Sequence, residues 1–223
     1  MSLPEVSPEV SRISKVSRKG EYRVFFSDGT EIRILKDQLP GSGIEEGVSL
    51  SRHRIEELDS AYRYARCRNA ALRLLKVRPR TELELRRRFK SLGAAPRIAD
   101  RVMADLKTEG LVDDRVFARL WIGEKVRRGD CGRMRLINDL RAKGIERDVM
   151  MEELEAALSD GKELELAGRL AIKKMERLGR VPPGEGRRRV YAYLLRRGFT
   201  SEAAGEAVQR AVDISGRTET DEI

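Results

Sequence analysis

Residues 136–145 read LINDLRAKGI, and the same pattern stands 51 residues earlier as LRRRFKSLGA (85–94) and 54 residues later as VYAYLLRRGF (190–199). A glycine holds the ninth place each time: Gly93, Gly144 and Gly198. Four positions before it comes Phe89, Leu140 or Leu194, and eight before comes Leu85, Leu136 or Val190. Spacings of four and eight put those apolar residues on one face of a helix. The glycine then ends that helix, because it enters the left-handed C-cap conformation without a Cβ penalty. Five positions further on, Ile98, Val149 or Ala203 opens another amphipathic segment. A longer helix precedes each middle one, clearest in the third copy, where Leu164, Ala167, Ala171, Met175 and Leu178 recur at spacings of three and four. Three helices in about 50 residues, repeated, is the signature of a stacked array. The spacing predicts a mainly α protein of three tandem three-helix repeats over 59–112, 113–160 and 161–213, in an elongated array, with a disordered tail at 214–223.

Local chemistry sets the joints. In RPRTELEL (78–85), Pro79 stops the preceding helix, and Thr81 with Glu84 fits a capping box. In GLVDDRVFARLWI (110–122), Asp113 and Asp114 place negative charge at a helix start, where backbone N–H groups lack partners. Phe117, Leu120 and Trp121 are expected on the buried side of that helix, with Trp121 in core packing rather than base stacking.

Ahead of the repeats, residues 1–58 read differently. Residues 1–10 carry two prolines and no helical period, so a loose tail is expected there. SRISKVSRKGEYRVFFSDGTEIRILKDQL (11–39) alternates polar and apolar residues, with turn signals at Lys19-Gly20 and Asp28-Gly29. That predicts a small antiparallel β segment of about three strands, near 12–17, 21–27 and 30–35, with Tyr22, Val24 and Phe26 on one face. Such a sheet needs a helix to cover it. PGSG (40–43) reads as a loop, and LSRHRIEELDS (50–60) as the start of a short helix or linker.

The chain has 223 residues, with 46 Lys and Arg against 37 Asp and Glu, and a net charge of +9. The excess is uneven: residues 1–58 hold nine basic and ten acidic residues, leaving 37 basic against 27 acidic, net +10, for 59–223. That later field suits nucleic acid or an acidic protein surface. Cys67 and Cys131 stand far apart, and His53 is the one histidine, so neither a zinc site nor any cofactor is expected. No P-loop or GxSxG motif occurs, and Glu152, Glu153 and Glu155 are expected along an exposed face, which speaks against an enzyme. No apolar run reaches the length of a membrane span and no signal-peptide pattern opens the chain, so a reduced, cytoplasmic protein is expected.

The basic residues cluster at recurring places: Arg86, Arg87 and Arg88; Arg127 and Arg128; Arg133, Arg135, Arg141 and Lys143; Arg187, Arg188 and Arg189; and Arg196 with Arg197. Cations near helix C-termini follow from the dipole alone, which covers Lys143, Arg196 and Arg197. Consecutive arginines elsewhere point in different directions around a helix and cannot all pair internally.

In ALRLLKVRPRTELELRRRF (71–89), LKTEGLVDDRVFARLWI (106–122), GRMRLINDLRAKGI (132–145) and YLLRRGF (193–199), the chain resembles the RecX family of recombination regulators. The likeness covers about 60–213, and the β segment lies outside it. The resemblance implies a non-catalytic protein, expected here as a monomer, that binds the RecA recombinase as its filament on single-stranded DNA and inhibits ATP hydrolysis and recombination. The arginines above are then its candidate contacts with RecA or, non-specifically, with DNA. The main rival is a DNA-binding protein whose three-helix units act as helix-turn-helix modules in transcription. Its repeated helices share no set of base-reading positions, which favours sequence-independent contact. A third reading makes residues 12–58 an interaction module with an open sheet edge.

Overall fold

The computed structural model describes residues 7–16, 20–159, 161–179 and 181–220. Three strands, β1 (Val10–Lys15), β2 (Glu21–Phe26) and β3 (Glu31–Leu35), form an antiparallel sheet in chain order. The β2–β3 register pairs Val24 with Ile32 and Tyr22 with Ile34, which lines the apolar residues up on one face. Gly29 closes the hairpin at φ +84°, and the Asp28 carboxylate accepts the Thr30 N–H at 2.9 Å. β1 starts two residues before the expected strand: Val10 is 1% exposed and anchors the sheet core. The described end of the expected loose tail is therefore ordered, while residues 1–6 lie outside the described residues. Nor is the outer edge near Val10 open. The Val10 N–H donates to Val48, Gly47 donates to Val10, and Leu50 donates to Pro8, so residues 47–50 pair with it.

A 24-residue helix, α1 (Arg52–Leu75), follows, where the start of a short helix or linker and a boundary at 58 were expected. It starts where the Ser51 hydroxyl accepts the Arg54 N–H at 3.2 Å. Its first half buries Ile55 and Leu58 against the sheet, and its second half buries Cys67 and Ala71 against α2 (Glu82–Ser91) and α3 (Pro96–Thr108). One helix thus serves two cores, which is why no break falls at 58. This supplies the cover that a three-stranded sheet needs.

Next come α4 (Asp114–Arg128), α5 (Arg133–Ala142), α6 (Arg147–Leu158), α7 (Lys162–Leu178), α8 (Pro183–Arg196) and α9 (Ser201–Thr220). Each middle helix, α2, α5 and α8, ends as the spacing predicts. Gly93, Gly144 and Gly198 sit at φ +73°, +80° and +82°. The next residue's N–H reaches back five positions, Ala94 to Phe89, Ile145 to Leu140 and Phe199 to Leu194, at 3.1–3.2 Å. These bonds satisfy carbonyls that a helix end otherwise orphans. Leu85, Phe89, Leu136, Leu140, Val190 and Leu194 are all 0% exposed. Each is worth about 1.5–3 kcal/mol of burial. The tail expected at 214–223 is helical as far as Thr220, because no proline stands in that stretch to break α9; 221–223 lie outside the described residues.

The chain forms two compact units, Met1–Pro79 with Leu85–Val112, and Arg80–Glu84 with Asp113–Ile223. In the second, α4–α6 and α7–α9 share one continuous core, from Phe117 to Ala211. The second and third repeats are therefore fused rather than merely adjacent.

Candidate functional site

Two joints made by glycine turns organise the second unit. At one, the Gly144 turn meets Leu83 in the first turn of α2; a Cβ on Gly144 would lie 2.7 Å from Leu83 Cβ. At the other, the Gly198 turn meets the start of α5. The Gly132 N–H donates to Arg197 at 3.0 Å, the Met134 N–H donates to Gly198 at 2.8 Å, and a Cβ on Gly198 would lie 2.5 Å from the Arg135 nitrogen. Gly144 and Gly198 thus each end a helix and admit a close neighbour, the Leu83 side chain at the first joint and the Arg135 backbone at the second. Gly93, with no earlier repeat to meet, has nothing within 4 Å of a Cβ among the described residues.

The side chains at the two joints differ in sign. Shifting by the repeat offsets of 51 and 54 residues aligns Glu84 with Arg135, and Lys143 with Arg197. At the first joint, Lys143 Nζ pairs with Glu84 Oε1 at 3.2 Å, and both side chains are about one-fifth exposed. The same ammonium lies 4.3 Å from the Trp121 ring centroid and 5.4 Å from that of Phe117, which stack 6.0 Å apart. At the second joint, arginine replaces glutamate. Arg135 and Arg197, together with Lys125, Asp130, Cys131, Tyr193 and Arg196, line a cleft of about 300 Å³. Among the described residues Asp130 is its one carboxylate, and Arg197 takes it: its guanidinium donates to the Asp130 backbone oxygen at 3.0 Å and lies 3.9 Å from the carboxylate. Arg197 also sits 5.3 Å from the Tyr193 ring. Burial pushes the Cys131 thiol pKa up, so it is not a thiolate nucleophile.

The expected arginines divide by partner. Arg86 pairs with Asp100, Arg128 with Glu124, Arg133 with Glu155 and Glu163, and Arg189 with Glu185. Arg127 donates to the Gly123 carbonyl, and Arg88 to Ser91. Arg87, Arg135, Arg141, Arg187, Arg188 and Arg196 are exposed and have no carboxylate partner among the described residues. Sequence reading missed Lys125, Asp130 and Tyr193. The offset that aligns Glu84 with Arg135 was the available signal.

Three local expectations need correction. Asp113 caps α4, accepting from Arg115 and Val116, but Asp114 reaches the other way and accepts the Glu82 N–H at 2.9 Å, capping α2. Leu120 is 57% exposed, because α4 turns Phe117, Ala118 and Ile122 inward instead. Glu153, expected on an exposed face, is 6% exposed. It accepts both forks of Arg119 at 2.9 and 3.0 Å and one bond from Arg115 at 3.4 Å. The Arg119 bonds, joined by its charge and by Arg115, hold the Glu153 carboxyl below the usual range against the opposing effect of burial.

His53 lies exposed on α1, 3.2 Å from Glu57. Among the described residues no group of three metal-binding side chains gathers, and no helix is long and apolar enough to cross a membrane.

Comparison with known proteins matches three successive family models: RecX, first three-helix domain, over 67–106; second, over 113–154; and third, over 162–208. The regulatory protein RecX of Mycobacterium marinum is 37% identical over 150 residues, 66% of this chain and 84% of that protein. That of Lactobacillus johnsonii is 26% identical over 216 residues, 97% of this chain and 79% of that protein. A crystal structure of regulatory protein RecX superposes with a TM-score of 0.67 at 22% identity, covering 91% of this chain and 99% of that one. A crystal structure of RecX from Lactobacillus salivarius gives 0.64 at 22% identity, covering 68% and 97%.

Proposed function

This chain belongs to the RecX family of regulatory proteins, and on that premise we propose that it binds the RecA recombinase as a filament on single-stranded DNA and restrains its ATP hydrolysis and strand exchange. It acts as a cytoplasmic monomer without catalysis of its own. The observation that supports this reading best is the distribution of unpaired arginines. Each of the three middle helices carries at least one: Arg87 on α2, Arg135 and Arg141 on α5, and Arg187, Arg188 and Arg196 on α8. Repeated modest contacts favour a polymer over a single subunit, since the second and third contacts form at high effective concentration. Arginine's planar fork suits the carboxylates of a protein surface and the phosphates of DNA alike.

Titration into RecA on single-stranded DNA, with ATP turnover and light scattering followed together, tests the reading. Turnover is expected to fall as the protein is added. Charge reversal of Arg87, of Arg141 or of Arg188 is expected to weaken the effect in part, and the three together to abolish it. Unchanged turnover and scattering at saturating protein would remove the proposal.

A further inference from the structure

The second joint departs from the first in a way that folding alone does not explain. The two joints use the same backbone device: a left-handed glycine turn against the start of the preceding middle helix. At the first, opposite charges close the contact through Lys143 and Glu84. At the second, Arg135 stands where the glutamate stood, on the same cleft as Arg197, with Lys125 and Arg196 beside them. Four cations against Asp130 leave the cleft with three positive charges in excess. Like charges gathered in a concave site repel unless an anion joins them. A sequence that breaks its own local rule commonly does so where it binds something.

From this we infer that the cleft between the second and third repeats is a binding site for a backbone phosphate of single-stranded nucleic acid, held by Lys125, Arg135, Arg196 and Arg197. One carboxylate is satisfied by one arginine fork, and Arg197 already has Asp130. The remaining cations call for an anion with acceptor oxygens on several sides, which a phosphodiester offers. A volume of about 300 Å³ admits such a group with part of its sugar. The Tyr193 ring on the cleft wall adds an aromatic surface for a neighbouring base, the usual complement of a cationic groove for single strands. In significance the inference rests on the proposed role at a DNA–recombinase filament, but its test needs no recombinase.

Fluorescence anisotropy of a labelled oligo-dT of about 30 nucleotides, titrated with the full chain over a range of salt, reads the site directly. Arg135→Glu rebuilds at the second joint the charge pattern of the first, so the fold has a precedent for it. It is expected to weaken binding about tenfold and to flatten the salt dependence. Lys90→Glu makes the same change in net charge at an exposed position in the first unit and is expected to shift affinity less than about twofold. Arg196→Glu reads the same cleft from α8, should thermal melting show that the first variant is misfolded. Equal losses for Lys90→Glu and the cleft variants would reduce the effect to net charge and overturn the site, as would undiminished binding by both cleft variants or no binding by the parent. If the cleft variants keep oligo-dT affinity but lose the effect on recombinase turnover, the cleft takes a protein's carboxylates and the phosphate assignment falls. If they lose oligo-dT affinity alone, the assignment stands whatever becomes of the recombinase reading.

Discussion

The Gly144 and Gly198 turns are built alike and furnished differently. Both reverse the chain after a middle helix, and both pack against the start of the middle helix one repeat earlier, Gly144 on the Leu83 side chain and Gly198 on the Arg135 backbone. Around Gly144 the side chains close on one another: ammonium, carboxylate and two stacked rings. Around Gly198 they leave a cationic cleft open to solvent. The glycine turn is therefore what the two joints share, and side-chain charge is free to differ between them. Gly93 completes the series, being the same turn with nothing seated on it.

The largest effects are expected from adding a methyl group at the joints. A Cβ on Gly132 would lie 2.3 Å from Phe199 Cα, and one on Gly198 would lie 2.5 Å from the Arg135 nitrogen. Main chain cannot step aside as a side chain can, so either alanine variant should lose about 3 kcal/mol or more in urea unfolding. Gly132 has φ −94°, which alanine accepts, so its loss isolates the collision from backbone strain. Gly144→Ala meets the Leu83 side chain and should lose about 2 kcal/mol. Gly93→Ala bears only the left-handed conformation and should lose about 1 kcal/mol. Equal losses at Gly93 and Gly198 would break the comparison.

Glu84→Arg makes the first joint electrostatically like the second. It sets two cations together at one-fifth exposure and should lower stability by about 1–2 kcal/mol, with partial recovery in Lys143→Glu/Glu84→Arg. Glu153→Gln serves as a reference inside the second repeat, remote in kind from either joint, and should lower stability at neutral pH by about 1 kcal/mol. The folded Glu153 pKa lies below the usual carboxylate value of about 4.3. Its contribution is therefore fully present above that value and is lost as pH falls through the folded pKa. The parent should lose stability on acidification that the glutamine variant does not, measured as urea midpoints between pH 6 and pH 3. The smallest expected effect is Arg135→Glu, where a new pair with Arg197 in a solvated cleft should add a few tenths of a kcal/mol at most. A large stabilisation there would mean that like-charge strain in the parent exceeds what solvent and salt screen.

The middle helices and their terminating glycines were legible in the sequence, because a period near 3.6 and a φ > 0 requirement are properties of one segment and its own backbone. The same holds for the strands around Asp28-Gly29, where the alternation has a period of two and the turn is local. Side-chain direction between segments was not legible. Asp113 and Asp114 look alike in sequence, yet one caps its own helix and the other caps α2, since only the packed chain brings the Glu82 N–H within reach. Leu120 and Glu153 exchanged their expected places for the same reason: burial follows from the neighbour a helix face meets, not from residue type. The continuity of α1 across position 58 likewise depended on two cores drawing on one helix.

The sequence by itself determined the repeats and the excess of positive charge, because periodicity, glycine spacing and composition need no knowledge of distant contacts. Tertiary structure alone decided which arginines are held by carboxylates, which glycines touch another backbone, and that Arg135 and Arg197, 62 positions apart, share one cleft. Ion pairs and clefts form between residues remote in the chain, and their energies depend on distances that only the fold sets.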